Sequence, residues 1–359
     1  MTRPDVVPET LPETLPQTLP QTLKDAYART VDYLRLSLTE RCNLACTYCV
    51  PSHHEELPSD WMSDDEIVAL VTALQPLGLR RVRLTGGEPT LRPRLPELVR
   101  RLAGLGLLDL SLTTNATRLA ALAVPLREAG LHRLNISLDT LDPVRFRALS
   151  GGDLDTVLAG IDAATAAGFT SGKLNVVALD GINDQELVSL ARYAWAHGLE
   201  PRYIELMPMS DGAVAPTQRF LSAAAIRARL EAELGALEPC ERVGPGVGPA
   251  RHLRVRGTRH TVGFISAVTE PFCATCNRIR ISARGRLHTC LGIDDEPGGE
   301  VASEDPLDLR AALRRGPGAV RAAVVRAVGK KGEGHTFAPN PTGARIAGGP
   351  RRHMIVIGG

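Results

Sequence analysis

Short apolar runs rich in β-branched residues alternate with longer amphipathic segments from residue 33 onward. Short apolar stretches bounded by turn residues are typical of buried strands, and the segments between them have helical periodicity. The six runs cover residues 33–39, 81–87, 108–115, 133–139, 172–179 and 201–207. Such alternation predicts parallel β-α-β units. The sequence therefore predicts an α/β fold, a partial (β/α)6 TIM-like barrel.

Local signals place two of the intervening helices. Ser63 precedes an amphipathic segment and Glu66 follows three residues later, which is the pattern of a capping box at a helix start. The helical pattern that begins at residue 183 ends before Gly198, and glycine favours the position just after a helix.

Composition divides the chain into three parts. Residues 8–23 repeat the tetrapeptide Pro-x-Thr-Leu, and proline at every fourth position blocks a regular helix. We predict a disordered Pro-rich segment over residues 1–30 and the barrel over 31–235. A Gly/Pro-rich linker and a hairpin pattern at 251–266 follow. Residues 236–359 are predicted to form a less regular C-terminal region with a helical stretch near 307–316.

Net charge and the distribution of apolar residues bear on the expected partners and location. A net charge of +2 over 359 residues gives no reason to expect a nucleic-acid partner. No run of eighteen apolar residues predicts a membrane span, and the N-terminus lacks the pattern of a signal peptide. We expect a cytoplasmic protein with reduced thiols.

Polar residues collect at the carboxyl ends of the predicted strands, where ligands bind in folds of this kind. They include Glu88, Thr114, Asn115, Ser137, Asp139, Asn175 and Glu205.

The seven cysteines form two triplets and one single residue, Cys240. The triplets are Cys42, Cys46 and Cys49, spaced C-x3-C-x2-C, and Cys273, Cys276 and Cys290, spaced C-x2-C-x13-C. A disulfide framework is typical of short secreted chains and does not fit here. Closed zinc sites and electron-carrying clusters use four ligands, so a triplet leaves one ligand missing.

Two interpretations account for the missing fourth cysteine. In the first, zinc is held by each triplet plus a histidine, which would be His288 at the second triplet and His53 or His54 at the first. In the second, each triplet holds three irons of a 4Fe–4S cluster and leaves the fourth iron open to a small molecule. The second is favoured because C-x3-C-x2-C directly after a strand is an unusual zinc spacing.

Several motifs carry a resemblance to a known family. The run CNLACTYC at 42–49 resembles the radical S-adenosylmethionine signature, and TGGEP at 85–89 resembles the glycine-rich motif of that superfamily. The second triplet, the run CNRIR at 276–280 and the terminal Gly-Gly narrow the resemblance to the GTP 3′,8-cyclase family of molybdenum cofactor biosynthesis. The resemblance extends from about residue 30 to the C-terminus.

The resemblance implies an activity and two 4Fe–4S clusters. The chain would convert GTP to (8S)-3′,8-cyclo-7,8-dihydroguanosine 5′-triphosphate, the first step of molybdenum cofactor biosynthesis. The first triplet would bind a cluster and S-adenosyl-L-methionine, whose cleavage yields a radical that removes the 3′ hydrogen of GTP. The implied S-adenosylmethionine contacts are Tyr48, Gly87, Ser137 and Met207.

The second triplet would hold the second cluster, whose open iron takes the guanine. The implied GTP contacts are Arg35, Arg83, Thr113, Lys173, Arg278, Ile279 and Arg280. Arginine suits a triphosphate because its planar fork matches phosphate oxygens. Arg35, Arg83 and Lys173 lie within apolar strands, where a cation needs a partner. Gly358 and Gly359 would enter the catalytic chamber and are predicted to be catalytic, together with the first triplet.

The resemblance also implies partners. They are a flavodoxin- or ferredoxin-like electron donor and the downstream cyclic pyranopterin monophosphate synthase. The resemblance is also compatible with a homodimer. The chain departs from the family at Ala116, where glycine is usual, so we expect a slightly different turn.

Two alternatives stay open at this point. One is another two-cluster radical enzyme that acts on a peptide or protein. Such enzymes carry additional C-terminal cysteines, whereas this chain has only Cys240 to spare. The other is a zinc-stabilised binding module, which would contain zinc in place of iron.

Overall fold

The computed structural model describes residues 22–49, 60–208, 219–241, 248–292, 307–335, 337–339 and 346–347. The tetrapeptide repeat up to residue 21, His53, His54, Gly358 and Gly359 lie outside the described residues.

The six predicted strands form a parallel sheet in chain order. They are β1 Tyr33–Ser37, β2 Arg81–Thr85, β3 Asp109–Thr114, β4 Arg133–Ser137, β5 Lys173–Ala178 and β6 Glu200–Glu205. Each strand ends one or two residues before the predicted run does.

Helices follow the strands as the alternation predicted. They are α1 Asp64–Leu74, α2 Leu95–Ala103, α3 Leu119–Glu128, α4 Pro143–Ser150, α5 Leu154–Ala166, α6 Leu187–Ala196 and α7 Ala223–Leu234. The capping box at α1 is confirmed, since Glu66 N donates to Ser63 Oγ at 3.1 Å and Ser63 N donates to Glu66 Oε2 at 2.7 Å. Gly198 follows α6 at φ 67°, as predicted.

C-terminal strands extend the sheet at both ends. They are β7 Leu237–Pro239, β8 Arg251–Val255, β9 Thr261–Ile265, β10 Arg278–Ile281 and β11 Leu287–His288. β9 pairs with β6 and β10 pairs with β1, both in parallel, and β8 and β9 form the predicted hairpin. The strand order β11-β10-β1-β2-β3-β4-β5-β6-β9-β8-β7 leaves the sheet open.

Two helices and a small ribbon complete the C-terminal region. Helix α8, Leu309–Arg314, confirms the helical stretch predicted near residues 307–316, and α9 covers Pro317–Gly329. β12, Ala338–Pro339, pairs with β13, Ile346–Ala347. The division of the chain at residue 235 stays a prediction.

The main core lies between the sheet and its helices and is dominated by leucine, isoleucine and valine. Burial of these side chains is the main favourable contribution to folding. In the part of the chain that the structure describes, no helix has the length and apolar character needed to cross a membrane.

Residues 22–30 differ from the expected disordered segment. Leu23 is 2% exposed, its N–H donates to Leu77 O at 2.9 Å, and its carbonyl accepts from Val31 N at 2.8 Å. Asp25 and Arg29 are also buried. Residues 22 and 23 close the repeat and 24–30 follow it directly, and the predicted disordered segment included them all.

Candidate active site

A cavity of about 310 Å³ lies at the carboxyl ends of the parallel strands. All six cysteines of the two triplets line it, although 223 residues lie between Cys49 and Cys273 in the sequence. The first triplet follows β1, and the second flanks β10, which pairs with β1. This pairing therefore brings the two triplets to one chamber.

The loop of the first triplet is fixed by backbone contacts on two sides. Ala45 N donates to Ser150 O at 2.8 Å and Thr47 N donates to Leu149 O at 2.9 Å, both at the end of α4. On the other side, Gly87 N donates to Thr39 O at 2.8 Å and Glu88 N donates to Arg41 O at 2.7 Å.

Only glycine at position 87 allows the backbone of residues 86–88 to come this close to the backbone of residues 39–41. A Cβ at this position would lie 2.3 Å from Arg41 O, which is shorter than any tolerated contact. The TGGEP motif thus fixes the position of residues 39–41, which lead into the first triplet. Gly87 also lines the cavity.

The buried carboxylate of Glu88 organises the next strand end. Its oxygens accept from Thr90 N at 3.0 Å, Thr114 Oγ1 at 2.8 Å and Asn115 N at 2.7 Å. Ala116 follows at φ 65°, so an alanine occupies the left-handed conformation that glycine favours.

The first triplet lies in an environment that disfavours negative charge. Burial raises the pKa of Cys42, raises that of Cys46 well above its usual range and raises that of Cys49 to about 12. Nearby, Tyr48 Oη donates to Asp139 Oδ2 at 2.5 Å, and burial raises the pKa of Asp139 to about 6. Ligation of a metal requires thiolates and therefore releases protons here.

The second triplet lies in a cationic environment. Burial alone would raise the pKa of Cys276, but Arg278 and Lys331 together lower it. Lys331 is itself buried and donates from Nζ to the carbonyl of Thr289, next to Cys290. The two sites thus have opposite electrostatic surroundings.

The donor set fits clusters better than single ions. Within the described ranges, no three His, Cys, Asp or Glu side chains converge on a point where one metal ion could bind. His288 is buried on β11 and is not among the described residues that line the cavity. A 4Fe–4S cluster takes one thiolate on each iron, so its ligands do not need to meet at one point.

A row of guanidinium groups crosses three neighbouring strands. In the sheet register Arg35 lies opposite Arg280 on one side and Arg83 on the other. Burial, followed by the charges of Arg280 and Arg83, lowers the pKa of Arg35 well below its usual value. Burial and the charge of Arg278 lower the pKa of Arg280 to about 10. Like charges side by side are unfavourable, so an anion bound here would relieve the repulsion.

Most of the predicted site residues face this cavity. Those that line it are the six cysteines, Tyr48, Gly87, Ser137, Met207, Arg35, Arg83, Thr113, Arg278 and Arg280. The hydroxyl of Thr113 is buried and has no hydrogen-bond partner among the described residues.

Two predicted GTP contacts are not among the described residues that line the cavity. Ile279 is fully buried in the main core. Lys173 is 3% exposed at the start of β5, and burial together with the charge of Arg202 lowers its pKa to about 6.

Several lining residues were not among the predicted site residues. Asn115, Asp139 and Glu205 stand at strand ends that the sequence had marked as polar. Glu205 accepts from Ala223 N at 2.8 Å and from Val268 N and Thr269 N at 2.9 Å, so it joins β6 to the segment that leads to the second triplet.

Two aromatic rings complete this side of the cavity. His335 and Phe337 stack with ring centroids 4.1 Å apart, and both line the cavity. Their segment has no regular periodicity, so the sequence carried no signal for them.

Comparison with known proteins agrees with this geometry. The model of the Radical SAM superfamily matches residues 36–194, and that of Molybdenum Cofactor Synthesis C matches residues 199–337. A GTP 3′,8-cyclase of Nitrobacter hamburgensis is 41% identical over 345 residues, which cover 93% of this chain and 95% of that protein. The chain belongs to the GTP 3′,8-cyclase family. The GTP 3′,8-cyclase 1 of Pseudomonas aeruginosa is 43% identical over 87% of this chain and 93% of its own length.

Solved structures support the fold assignment. SuiB of Streptococcus suis, in a crystal structure with S-adenosylmethionine, matches with a TM-score of 0.55 at 14% identity, over 79% of this chain and 64% of that one. The open partial barrel predicted from the sequence is therefore confirmed. Members of the GTP 3′,8-cyclase family use two 4Fe–4S clusters and S-adenosylmethionine, and the two triplets fit that set.

Proposed function

We propose that this chain converts GTP to (8S)-3′,8-cyclo-7,8-dihydroguanosine 5′-triphosphate in molybdenum cofactor biosynthesis. The observation that carries the proposal is the shared cavity, which is lined by two cysteine triplets and a row of buried arginines. Relatives that match over 93% of the chain have the corresponding name.

The first triplet is proposed to hold the cluster that binds S-adenosylmethionine. When bound, this pair supplies the one-electron chemistry that removes a hydrogen atom from the substrate. Tyr48, Gly87, Ser137 and Met207 are proposed to surround the methionine and adenosine parts, since all four line the cavity. The hydrogen bond from Tyr48 to Asp139 fixes the tyrosine ring beside the cysteines.

The second triplet is proposed to hold the cluster that takes the guanine. Arg35, Arg83, Arg278 and Arg280 are proposed to bind the triphosphate, whose charge would offset their mutual repulsion. Thr113 offers a buried hydroxyl on the same wall. A row of arginines suits a triphosphate better than a peptide, so it favours the cyclase over the peptide-modifying alternative.

Four residues that are not among the described cavity lining are also proposed to contact GTP or enter the chamber. Lys173 is buried in the same sheet as the arginine row, and an anion nearby would favour its protonated form. The side chain of Ile279 lies in the core, so its contact with GTP has to come from the backbone. Gly358 and Gly359 are proposed to reach the chamber, because residues without side chains allow close backbone approach.

The proposed partners follow from the chemistry. A one-electron donor protein of the flavodoxin or ferredoxin kind would reduce the first cluster, and the downstream cyclic pyranopterin monophosphate synthase would consume the product. We also propose a cytoplasmic location, where thiols stay reduced. A homodimer is the proposed oligomeric state.

Anaerobic turnover tests the proposal. Reconstituted protein is incubated with S-adenosylmethionine, dithionite and GTP, and 5′-deoxyadenosine and the cyclised nucleotide are measured by mass spectrometry. We expect both products, and neither in a Cys42→Ala variant. The Gly358→Ala/Gly359→Ala variant is expected to keep iron and lose cyclised product. Formation of 5′-deoxyadenosine without any cyclised nucleotide in the wild type would contradict the proposal.

A further inference from the structure

The turn of the second triplet is held at both ends by the segment 25–33. Arg29 Nη1 donates to Cys273 O at 2.8 Å. At the other end, Asn277 Nδ2 donates to Asp32 Oδ1 at 2.8 Å, and Asn277 O accepts from Tyr33 N at 3.2 Å. The position of Cys273 is therefore set by a segment far away in the sequence.

The same guanidinium binds the segment that covers Cys273. Arg29 Nη1 donates to Glu333 O at 2.6 Å and Nη2 donates to Gly332 O at 2.7 Å. A Cβ at Gly334 would lie 3.0 Å from Cys273 Cβ and 3.1 Å from its Sγ, so this segment packs directly on the thiol. One side chain thus fixes the thiol-bearing turn and its cover relative to each other.

Asp25 orients the fork of Arg29. Its Oδ2 accepts from Arg29 Nε at 2.5 Å, and its Oδ1 accepts from Tyr27 N at 2.9 Å and Arg29 N at 3.0 Å. Asp25 and Arg29 are 7% and 8% exposed. A planar guanidinium can serve a carboxylate and three carbonyls at once, whereas a lysine ammonium cannot.

We propose that Arg29, oriented by Asp25, is a positioning residue that holds Cys273 ready to bind the second cluster and ties that site to the segment 332–334. The inference deepens the proposed function and rests on it. Neither Arg29 nor Asp25 is among the described residues that line the cavity, so the effect passes through the backbone of Cys273. Groups that hold a metal ligand in place typically change metal affinity by about ten- to a hundredfold.

The test compares Arg29→Lys with a matched control, Arg92→Lys, in the full-length chain. Arg92 likewise joins a carboxylate to two carbonyls, since it donates to Asp64 at 2.6 Å, Leu38 O at 3.0 Å and Met62 O at 2.9 Å. After anaerobic reconstitution, iron retained during a chelator challenge is counted per chain and assigned by electron paramagnetic resonance. Arg29→Lys is expected to lose iron at the second triplet about ten- to a hundredfold more readily. Its first cluster and both clusters of Arg92→Lys are expected to be retained.

A second readout uses metal-free protein and needs no turnover. Alkylation of Cys273 and Cys42 by iodoacetamide is followed by peptide mass spectrometry. Arg29→Lys and Asp25→Asn are expected to speed alkylation of Cys273 and leave Cys42 unchanged. Because this readout involves neither GTP nor iron, its result stands even if the proposed function fails.

Two results would overturn the inference. One is an Arg29→Lys protein that keeps its second cluster and shows the wild-type rate of Cys273 alkylation. The other is equal loss of both clusters with faster alkylation of both cysteines, which would mean a general structural role.

Discussion

Gly87 has no room for a side chain because the loop that carries the first triplet crosses directly over it. The nearest atom to a Cβ there is a main-chain oxygen, that of Arg41, which cannot move away as a flexible side chain could. The TGGEP motif, which resembles the glycine-rich motif of the radical S-adenosylmethionine superfamily, therefore also has a steric role, because Gly87 leaves room for the backbone of residues 40 and 41.

We predict that Gly87→Ala lowers the free energy of unfolding by about 1–3 kcal/mol, because the clash is with backbone. Iron bound at the first triplet should fall as well. Gly318→Ala is the control, since a Cβ there meets nothing within 4 Å. Chemical denaturation of the metal-free protein and iron analysis check both variants. Equal behaviour of the two variants would show that the loop adjusts freely.

The arginine row predicts that one substitution changes stability and binding in opposite directions. Arg35→Met keeps an unbranched but shorter side chain and removes a buried charge between two others. Because the neighbouring like charges of Arg83 and Arg280 repel Arg35, we expect the ligand-free protein to gain up to about 1 kcal/mol in the free energy of unfolding. The affinity for GTP should fall about ten- to a hundredfold, because a charged hydrogen bond to phosphate is lost.

Denaturation and equilibrium binding measure the two effects of Arg35→Met. Arg92→Met serves as the control, because it breaks the salt bridge to Asp64 away from the cavity lining and should destabilise the protein without changing GTP affinity. A less stable Arg35→Met protein with unchanged GTP affinity would mean that the row is structural.

Strands that the sequence placed in a separate C-terminal region complete the sheet. Periodicity located β1 to β6 because local side-chain patterns specify strands. It did not show that β10 pairs with β1 or that β9 pairs with β6. Such pairing depends on tertiary contacts between segments that are distant in the sequence, and no local pattern encodes them.

A buried ion-pair group joins β6 to the hairpin. Arg202 Nε donates to Glu200 Oε1 at 2.8 Å, and His252 Nε2 lies 3.3 Å from the same oxygen. Burial alone would raise the pKa of Glu200, but its bonds to His252 and Arg202 lower it to about 2.

We predict that Glu200→Gln destabilises the protein by an amount that depends on pH. Because the folded pKa of Glu200 is below its usual 4.5, the stabilisation is complete above about pH 4.5 and is lost as pH falls toward 2. The loss near pH 7 should be about 3 kcal/mol. Urea denaturation of metal-free protein at pH 7 and pH 3 measures it. An equal loss at both pH values would contradict the prediction.

At the scale of the whole molecule, two segments that are far apart in the sequence meet beside the second triplet. The segment 25–33 and the segment 332–334 both contact the turn that begins at Cys273. The sequence indicated the triplets and most of the cavity lining, because cysteine spacing and cations in apolar strands are readable signals. It did not indicate Arg29, because a side chain that binds carbonyl oxygens leaves no pattern in the residues it binds.

This arrangement predicts different outcomes for two N-terminal deletions. Removal of residues 1–21 should leave iron content and turnover nearly unchanged, because the Pro-x-Thr-Leu repeat has too few apolar residues for a packed core. Removal of residues 1–30 also takes away Leu23, Asp25 and Arg29, so it should lower the melting temperature and the iron at the second triplet. Thermal denaturation and iron analysis compare them. Matching behaviour of the two deletions would contradict the account.

We propose that the two cysteine triplets each bind an iron–sulfur cluster, independently of each other, at one cavity. Iron and acid-labile sulfide are counted per chain after anaerobic purification and reconstitution. We predict about eight irons in the wild type and about four in each triple variant, Cys42→Ala/Cys46→Ala/Cys49→Ala and Cys273→Ala/Cys276→Ala/Cys290→Ala. Zinc in place of iron, or loss of all iron when either triplet is removed, would contradict the claim.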